Sequence, residues 1–220
     1  IVNQREGFSQ ASTWEGILAL FGQPGDLTEK SITSSVYLGS EAAILDAMIP
    51  PMLAKGGLDG KAAEKLKMIG ALDITALPVL EDVFLTGTGA KEPFTAKIGS
   101  VPTNPTQKIL FDLMPQVDDL MRRVEGARDA RLALKAAQKT HVLHQFAHRF
   151  LHIYAFEKQK CGWLDFDDLI LKARTLLTNP AVAAWVLYRI DGGIDHILVD
   201  ESQDTSPRQW DVIERLTDEF

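Results

Sequence analysis

The chain has 220 residues, of which 45% are hydrophobic and 24% charged, and carries a net charge of -7. Such a balance supports a buried core in one or two domains and excludes a disordered or collagen-like chain. No apolar run approaches the roughly 18 residues that span a bilayer, so no membrane association is expected. The lone Cys161, and the lack of a basic and then apolar leader, point to a cytoplasmic setting. The sequence opens on Ile1 and stops at Phe220 within a helical pattern, so it is read as an internal piece of a longer protein.

The first 85 residues are predicted to be helical. Candidate helices cover 11–21 and 27–38, then one from Glu41 behind a Ser40 cap until Pro50 and Pro51 perturb it. Asp59 is expected to cap a helix over 60–69, and another spans 75–85. Residues 86–104, rich in Gly, Pro and Thr, are predicted to form a long exposed loop or short hairpin bearing Lys91 and Lys97. Asn104 and Pro105 open the next helix, and helical periodicity continues from Pro115 to about Lys160, with a break expected near Gly126.

On a helical wheel, Val142, Leu143, Phe146, Phe150 and Ile153 share one face, the expected buried stripe. His141, His144, His148 and His152 share the opposite face. Their spacing suits zinc chelation on a helix, but no nearby Cys or acid completes a ligand set, so a polar surface is the simpler account.

Gly162 ends this helix. Asp165 caps the next, with Asp168 in its first turn, and a further helix runs from Pro180 to the Asp191-Gly192-Gly193 turn. Ile197-Leu198-Val199 is the one convincing strand, expected to lack a pairing partner within this chain. A last helix follows, with Ser206 as cap, Pro207 at its first position and Gln209 closing a capping box. Trp14, Trp163, Trp185 and Trp210 lie in apolar patterns and are expected in the core.

Charge is unevenly distributed: residues 1–85, 86–160 and 161–220 carry net charges of -5, +5 and -7. The basic middle suits either a polyanion or a face of ordinary ion pairs. Arg122, Arg123, Arg128, Arg131, Lys135 and Lys139 are interleaved with Asp118, Asp119, Glu125 and Asp129 at pairing distances, which favours the second account.

The acidic end holds the strongest constellation, HILVDESQDTSPRQW at residues 196–210. A short strand that delivers two consecutive acids at its carboxyl end suits a magnesium-nucleotide complex, one acid for the metal shell and one for the attacking water. Together with WLDFDDL at 163–169, this segment resembles motif II of the UvrD/Rep/RecB group of superfamily 1 DNA helicases. These usually read DExQD with an aromatic at x, where this chain has Ser202. Ser202 and the helical style of the first 160 residues are most similar to AddA subunits of bacterial AddAB double-strand break repair helicase-nucleases.

The resemblance implies a mainly α chain: a helical insertion subdomain over 1–138, then an incomplete P-loop α/β motor domain over 139–220 with one Walker B strand. It implies that Asp200 contacts magnesium, Glu201 is the catalytic acid, and Gln203 and Asp204 couple the site to neighbouring motor elements. Asp165, Phe166 and Asp168 match the upstream motif, where capping and packing are expected. The parent would use magnesium and ATP, act on DNA and pair with an AddB-like subunit, with Lys91 and Lys97 as candidate DNA contacts.

A phosphate-binding G-x-x-x-x-G-K-[ST] loop is missing from these 220 residues; Gly60-Lys61 and Gly87 to Lys91 do not match its order. The piece is therefore expected to bind no cofactor and to be inactive alone. A non-enzymatic helical interaction module with a fortuitous acidic strand is the alternative.

Overall fold

The computed structural model describes residues 13–191 and 196–217. The expected first-helix start at Ala11 and the Gly192-Gly193 turn lie outside them. The chain is mainly helical, and among the described residues the β-structure is limited to one antiparallel bridge, Leu85 with Ala96. None of the described helices is long and apolar enough to cross a membrane. Two compact units meet between Ala147 and His148, inside a continuous helix. The 138/139 division rests on motif coverage, a different criterion.

In the first unit, α1 (Trp14–Leu20) starts where the Thr13 hydroxyl accepts the Gly16 N–H, and α2 (Glu29–Val36) starts at a reciprocal Thr28/Ser31 box. Helix α3 runs over Glu41–Lys55 through both prolines instead of stopping at them. Each proline deprives the preceding turn of a donor. Burial of Met48 and Met52, one turn apart on either side of the prolines, keeps the two halves on the core.

Ser40 makes no side-chain cap; Glu41 accepts the Gly39 N–H instead. Gly56, at φ 68°, turns the chain directly into α4 (Gly57–Lys67), which packs along α3. α5 (Leu77–Phe84) lies against α4.

Asp59 does not cap its own helix. Already inside α4, it is buried and accepts the Thr103 N–H at 2.8 Å and the Thr103 and Thr106 hydroxyls at 2.6 and 2.5 Å. It thus ties α4 to the start of α6 (Asn104–Ile109). Burial alone would raise the Asp59 pKa, but the hydrogen bonds from Thr103 and Thr106, helped by the Lys55 charge, outweigh it and hold the carboxyl below its ordinary value.

The 86–97 segment is a pinned hairpin rather than a free loop. Thr86 donates its N–H to the Thr95 carbonyl at 2.8 Å, Lys97 N–H reaches the Phe84 carbonyl, and Ala96 N–H reaches Glu125 Oε2. The Arg128 guanidinium lies 3.5 Å over the Phe94 ring.

After a short 3-10 turn at Phe111–Leu113 comes α7 (Met114–Cys161), continuous through Gly126 where a break is expected. Three of its arginines, Arg123, Arg128 and Arg131, are half-buried and reach distant acids. Arg131 grips Glu81 through two bonds of 2.6 Å, Arg128 lies 3.8 Å from the same carboxylate, and Arg123 donates to buried Glu41 at 2.9 Å. Arg123–Asp119 is the one of these pairs that follows helical spacing. The core comprises residues such as Ile17, Met48, Leu80, Phe84, Leu120 and Met121.

The apolar stripe expected to be buried on α7 beyond residue 140 is exposed. Val142, Leu143, Phe146, Phe150 and Ile153 are all more than half exposed. His141 and His144 are half-buried, and the His141 ring meets Trp14 edge-on at 5.7 Å. Trp14 meets the histidine face at His141, and a wheel cannot reveal which neighbour a face will meet. His148 and His152 are exposed, and among the described residues no three metal-binding side chains converge.

The second unit contains the end of α7, α8 (Phe166–Thr178), α9 (Pro180–Asp191) and α10 (Pro207–Thr217). α8 packs against both α9 and α10. Among the described residues Leu177 is its one buried apolar side chain, while Trp163 and Trp185 are largely exposed and Trp210 is 40% exposed, contrary to their expected core positions.

Candidate functional site

The two motif segments are placed by helix-end chemistry. Gly162, at φ 68°, ends α7; Trp163 N–H bonds back to the Lys158 carbonyl at 2.9 Å, and Gly162 N–H bonds to Gln159. The chain then extends into Asp165, the N-cap of α8. Its Oδ1 accepts the Asp168 N–H, and Asp168 Oδ2 accepts the Asp165 N–H, each at 3.0 Å. This is the cap expected from sequence. Phe166, beside it, is 86% exposed and makes no packing anchor.

A third member of this cluster was not anticipated. Lys158, on the last turns of α7, donates to Asp165 Oδ2 at 2.7 Å and Asp168 Oδ2 at 2.5 Å, with its ammonium 4.9 Å from the Tyr154 ring centre. The hydrogen bonds to Asp165 and Asp168 push the lysine pKa up. Hydrogen bonding from Lys158, then from the Asp168 N–H, takes the Asp165 carboxyl down to about 2. The available sequence signal was spacing: a lysine in the final helical turns, one glycine turn before a paired-acid cap.

The second segment follows α9. Residues 196–199 approach Asp200 without strand pairing among the described residues, and Leu198 is 96% exposed. A strand is defined by a neighbour that exchanges backbone hydrogen bonds, and no described residue supplies one. The expected lack of a partner thus holds among the described residues, and without one residues 197–199 form no strand.

Asp200 Oδ1 accepts the Glu201 N–H at 2.9 Å. Glu201 turns the backbone with φ 49° and ψ 46°, a left-handed conformation uncommon away from glycine. A 3-10 turn over Ser202–Asp204 follows, and Gln203 Nε2 donates to the Glu201 carboxylate. Ser206 then caps α10: its N–H reaches Gln209 Oε1 at 2.7 Å, and its hydroxyl accepts the Gln209 N–H at 3.4 Å. An apolar groove of about 520 Å³, lined by Ile197, Val199, Trp210 and Ile213 with Glu214 and Thr217, lies beside the turn.

Asp200, Glu201, Gln203 and Asp204 are thus gathered, all exposed, on one turn. Lys91 and Lys97 belong to the first unit. Lys91 is exposed at the hairpin tip. Lys97 is used within the fold: its ammonium donates to the Val83 and Asp82 carbonyls at 3.0 and 3.4 Å, at the end of α5, and burial lowers its pKa.

The sequence matches the model of the UvrD/REP helicase N-terminal domain over residues 60–220. The chain belongs to the UvrD/Rep helicase family. It is similar to the ATP-dependent DNA helicase Rep of Buchnera aphidicola subsp. Schizaphis graminum (strain Sg), with 40% identity over 68 residues, 31% of this chain and 10% of that protein. It therefore spans about a tenth of that curated relative's length. No solved structure matches.

Proposed function

We propose that this chain supplies the acidic half of the ATP site of a UvrD/Rep-type DNA helicase. The finer assignment proposed is an AddA-like helicase-nuclease subunit that works in the cytoplasm on broken double-stranded DNA beside an AddB-like partner. The observation that carries the helicase reading is a family match that takes in both WLDFDDL and DESQD, on a chain whose described fold is helical around those motifs. Ser202 at the usually aromatic position motivates the AddA-like assignment.

In this reading Asp200 holds magnesium through its coordination shell, Glu201 takes a proton from the attacking water, and Gln203 steadies the Glu201 carboxylate by its hydrogen bond. Two exposed carboxylates on one turn fit a cation that takes one or two protein acids and completes its shell with water and phosphate oxygens. Bound magnesium would supply charge neutralisation of the ATP phosphates. These 220 residues contain no phosphate loop, so hydrolysis is proposed only of the longer protein that joins them to one.

The test is made there. Asp200→Asn is expected to weaken magnesium-dependent ATP binding by about 10–100-fold, read by titration with a fluorescent nucleotide. Unchanged magnesium dependence would remove Asp200 from the site.

The proposed DNA contact rests on Lys91, whose ammonium is exposed at the hairpin tip. Lys91→Ala should reduce the slope of log affinity against log salt by about 0.7, measured by single-stranded DNA binding across a salt series. An unaltered slope would clear Lys91 of phosphate contact.

A further inference from the structure

We propose that Lys158 and Arg174 are positioning residues that fix the Asp200–Glu201 turn by locking the helix behind it; this inference rests on the helicase reading above. The path is short and made of named contacts. Lys158, on α7, clamps both carboxylates of the α8 capping box at 2.7 and 2.5 Å. α8 packs on α10, and Arg174 Nε on α8 bonds Asp211 Oδ2 on α10 at 2.9 Å. α10 begins at Pro207, behind the Ser206/Gln209 capping box and the turn that carries Glu201 and Gln203. The position of α8 is therefore passed to the acidic turn by way of α10.

Magnitudes favour placement over stability as the purpose. The side chains of Asp165, Asp168, Arg174 and Asp211 are between 29% and 46% exposed. Ion pairs so open to solvent add little to global stability. Placement of a catalytic carboxylate is far more sensitive, since a shift near 1 Å can cost about 10²-fold in rate. Lys158 itself is the shielded member, 15% exposed, under the Tyr154 ring. A lysine clamped by two acids with an aromatic face at its back holds one orientation, as a positioning group must.

The test uses the full-length helicase. Lys158→Ala and Arg174→Ala should each lower kcat for ATP about tenfold with the KM for ATP unchanged, and raise amide hydrogen exchange over residues 201–206 before any nucleotide is added. Lys158→Arg should restore most of both, and the swap Arg174→Asp with Asp211→Arg should recover what either single change loses. Glu201→Gln is run in parallel. If it abolishes hydrolysis while Lys158→Ala and Arg174→Ala leave kcat and exchange untouched, the positioning role is wrong and the helicase reading stands. If Glu201→Gln hydrolyses ATP normally, both fall. A loss in Lys158→Ala matched by an equal fall in thermal midpoint, with no rescue by arginine or by the swap, assigns the pairs to stability alone and overturns the proposal.

Discussion

Glu201→Gln in the full-length protein is expected to lower kcat for ATP hydrolysis by about 10²–10⁴-fold, the range general-base removal commonly costs, while ATP affinity changes by only a few-fold. Glutamine keeps the shape and the oxygen that can accept the Gln203 hydrogen bond, but cannot take a proton from water. Glu201 sits in a left-handed backbone conformation that the following turn stabilises through the Asp204 N–H to its carbonyl at 2.8 Å. The conformation should survive the exchange, so the rate loss can be read as chemistry. The measurement is steady-state ATPase with and without single-stranded DNA, with nucleotide binding followed separately. Normal hydrolysis with normal binding would remove Glu201 from the chemistry and sink the reading of this turn as the acidic half of the ATP site.

Local signals in this sequence proved legible where a side chain acts on its own backbone. Asp165 caps its helix as predicted, with Asp168 returning the bond, and Ser206 with Gln209 closes the capping box its spacing predicts, because a cap needs only residues three apart. The acidic turn could be found for the same reason: its four side chains are nearly consecutive. What the sequence hid was long-range. Asp59 has cap spacing for its own helix but serves Thr103 and Thr106, more than forty positions away. The arginines of α7 have acids at helical spacing, yet Arg131 and Arg123 reach Glu81 and Glu41.

The same limit explains the exposed apolar stripe of α7. Periodicity correctly groups Val142, Leu143, Phe146, Phe150 and Ile153, but the neighbour that this section of helix meets is Trp14, on the other side.

The largest stability effect is expected from Asp59→Ala, at about 2–4 kcal/mol, since buried donors left without an acceptor cost about 1–3 kcal/mol each. Asp59 is 3% exposed and Thr106 fully buried. Alanine would leave the Thr106 hydroxyl and the Thr103 N–H facing a cavity with no acceptor. α4 and the start of α6 would lose their tie, and thermal unfolding should fall by on the order of 10 °C. Asparagine retains one acceptor oxygen and should lose less.

The sign of the pH effect follows from the depressed pKa of Asp59. Its stabilising contribution is complete above the unfolded carboxyl value of about 4. It is lost as the pH falls through the lower folded value, where protonation removes the charge to which Thr103 and Thr106 donate. Glu41 acts in the same direction: burial would raise its pKa, but backbone N–H donors and Arg123 outweigh that and hold it down. Denaturant midpoints measured from pH 5 to pH 2 should therefore fall for the unaltered chain and fall less for Asp59→Asn. Parallel slopes for the two, or an alanine variant melting within 1–2 °C of the unaltered chain by the scale used above, would mean that the Asp59 network does not hold α4 to α6.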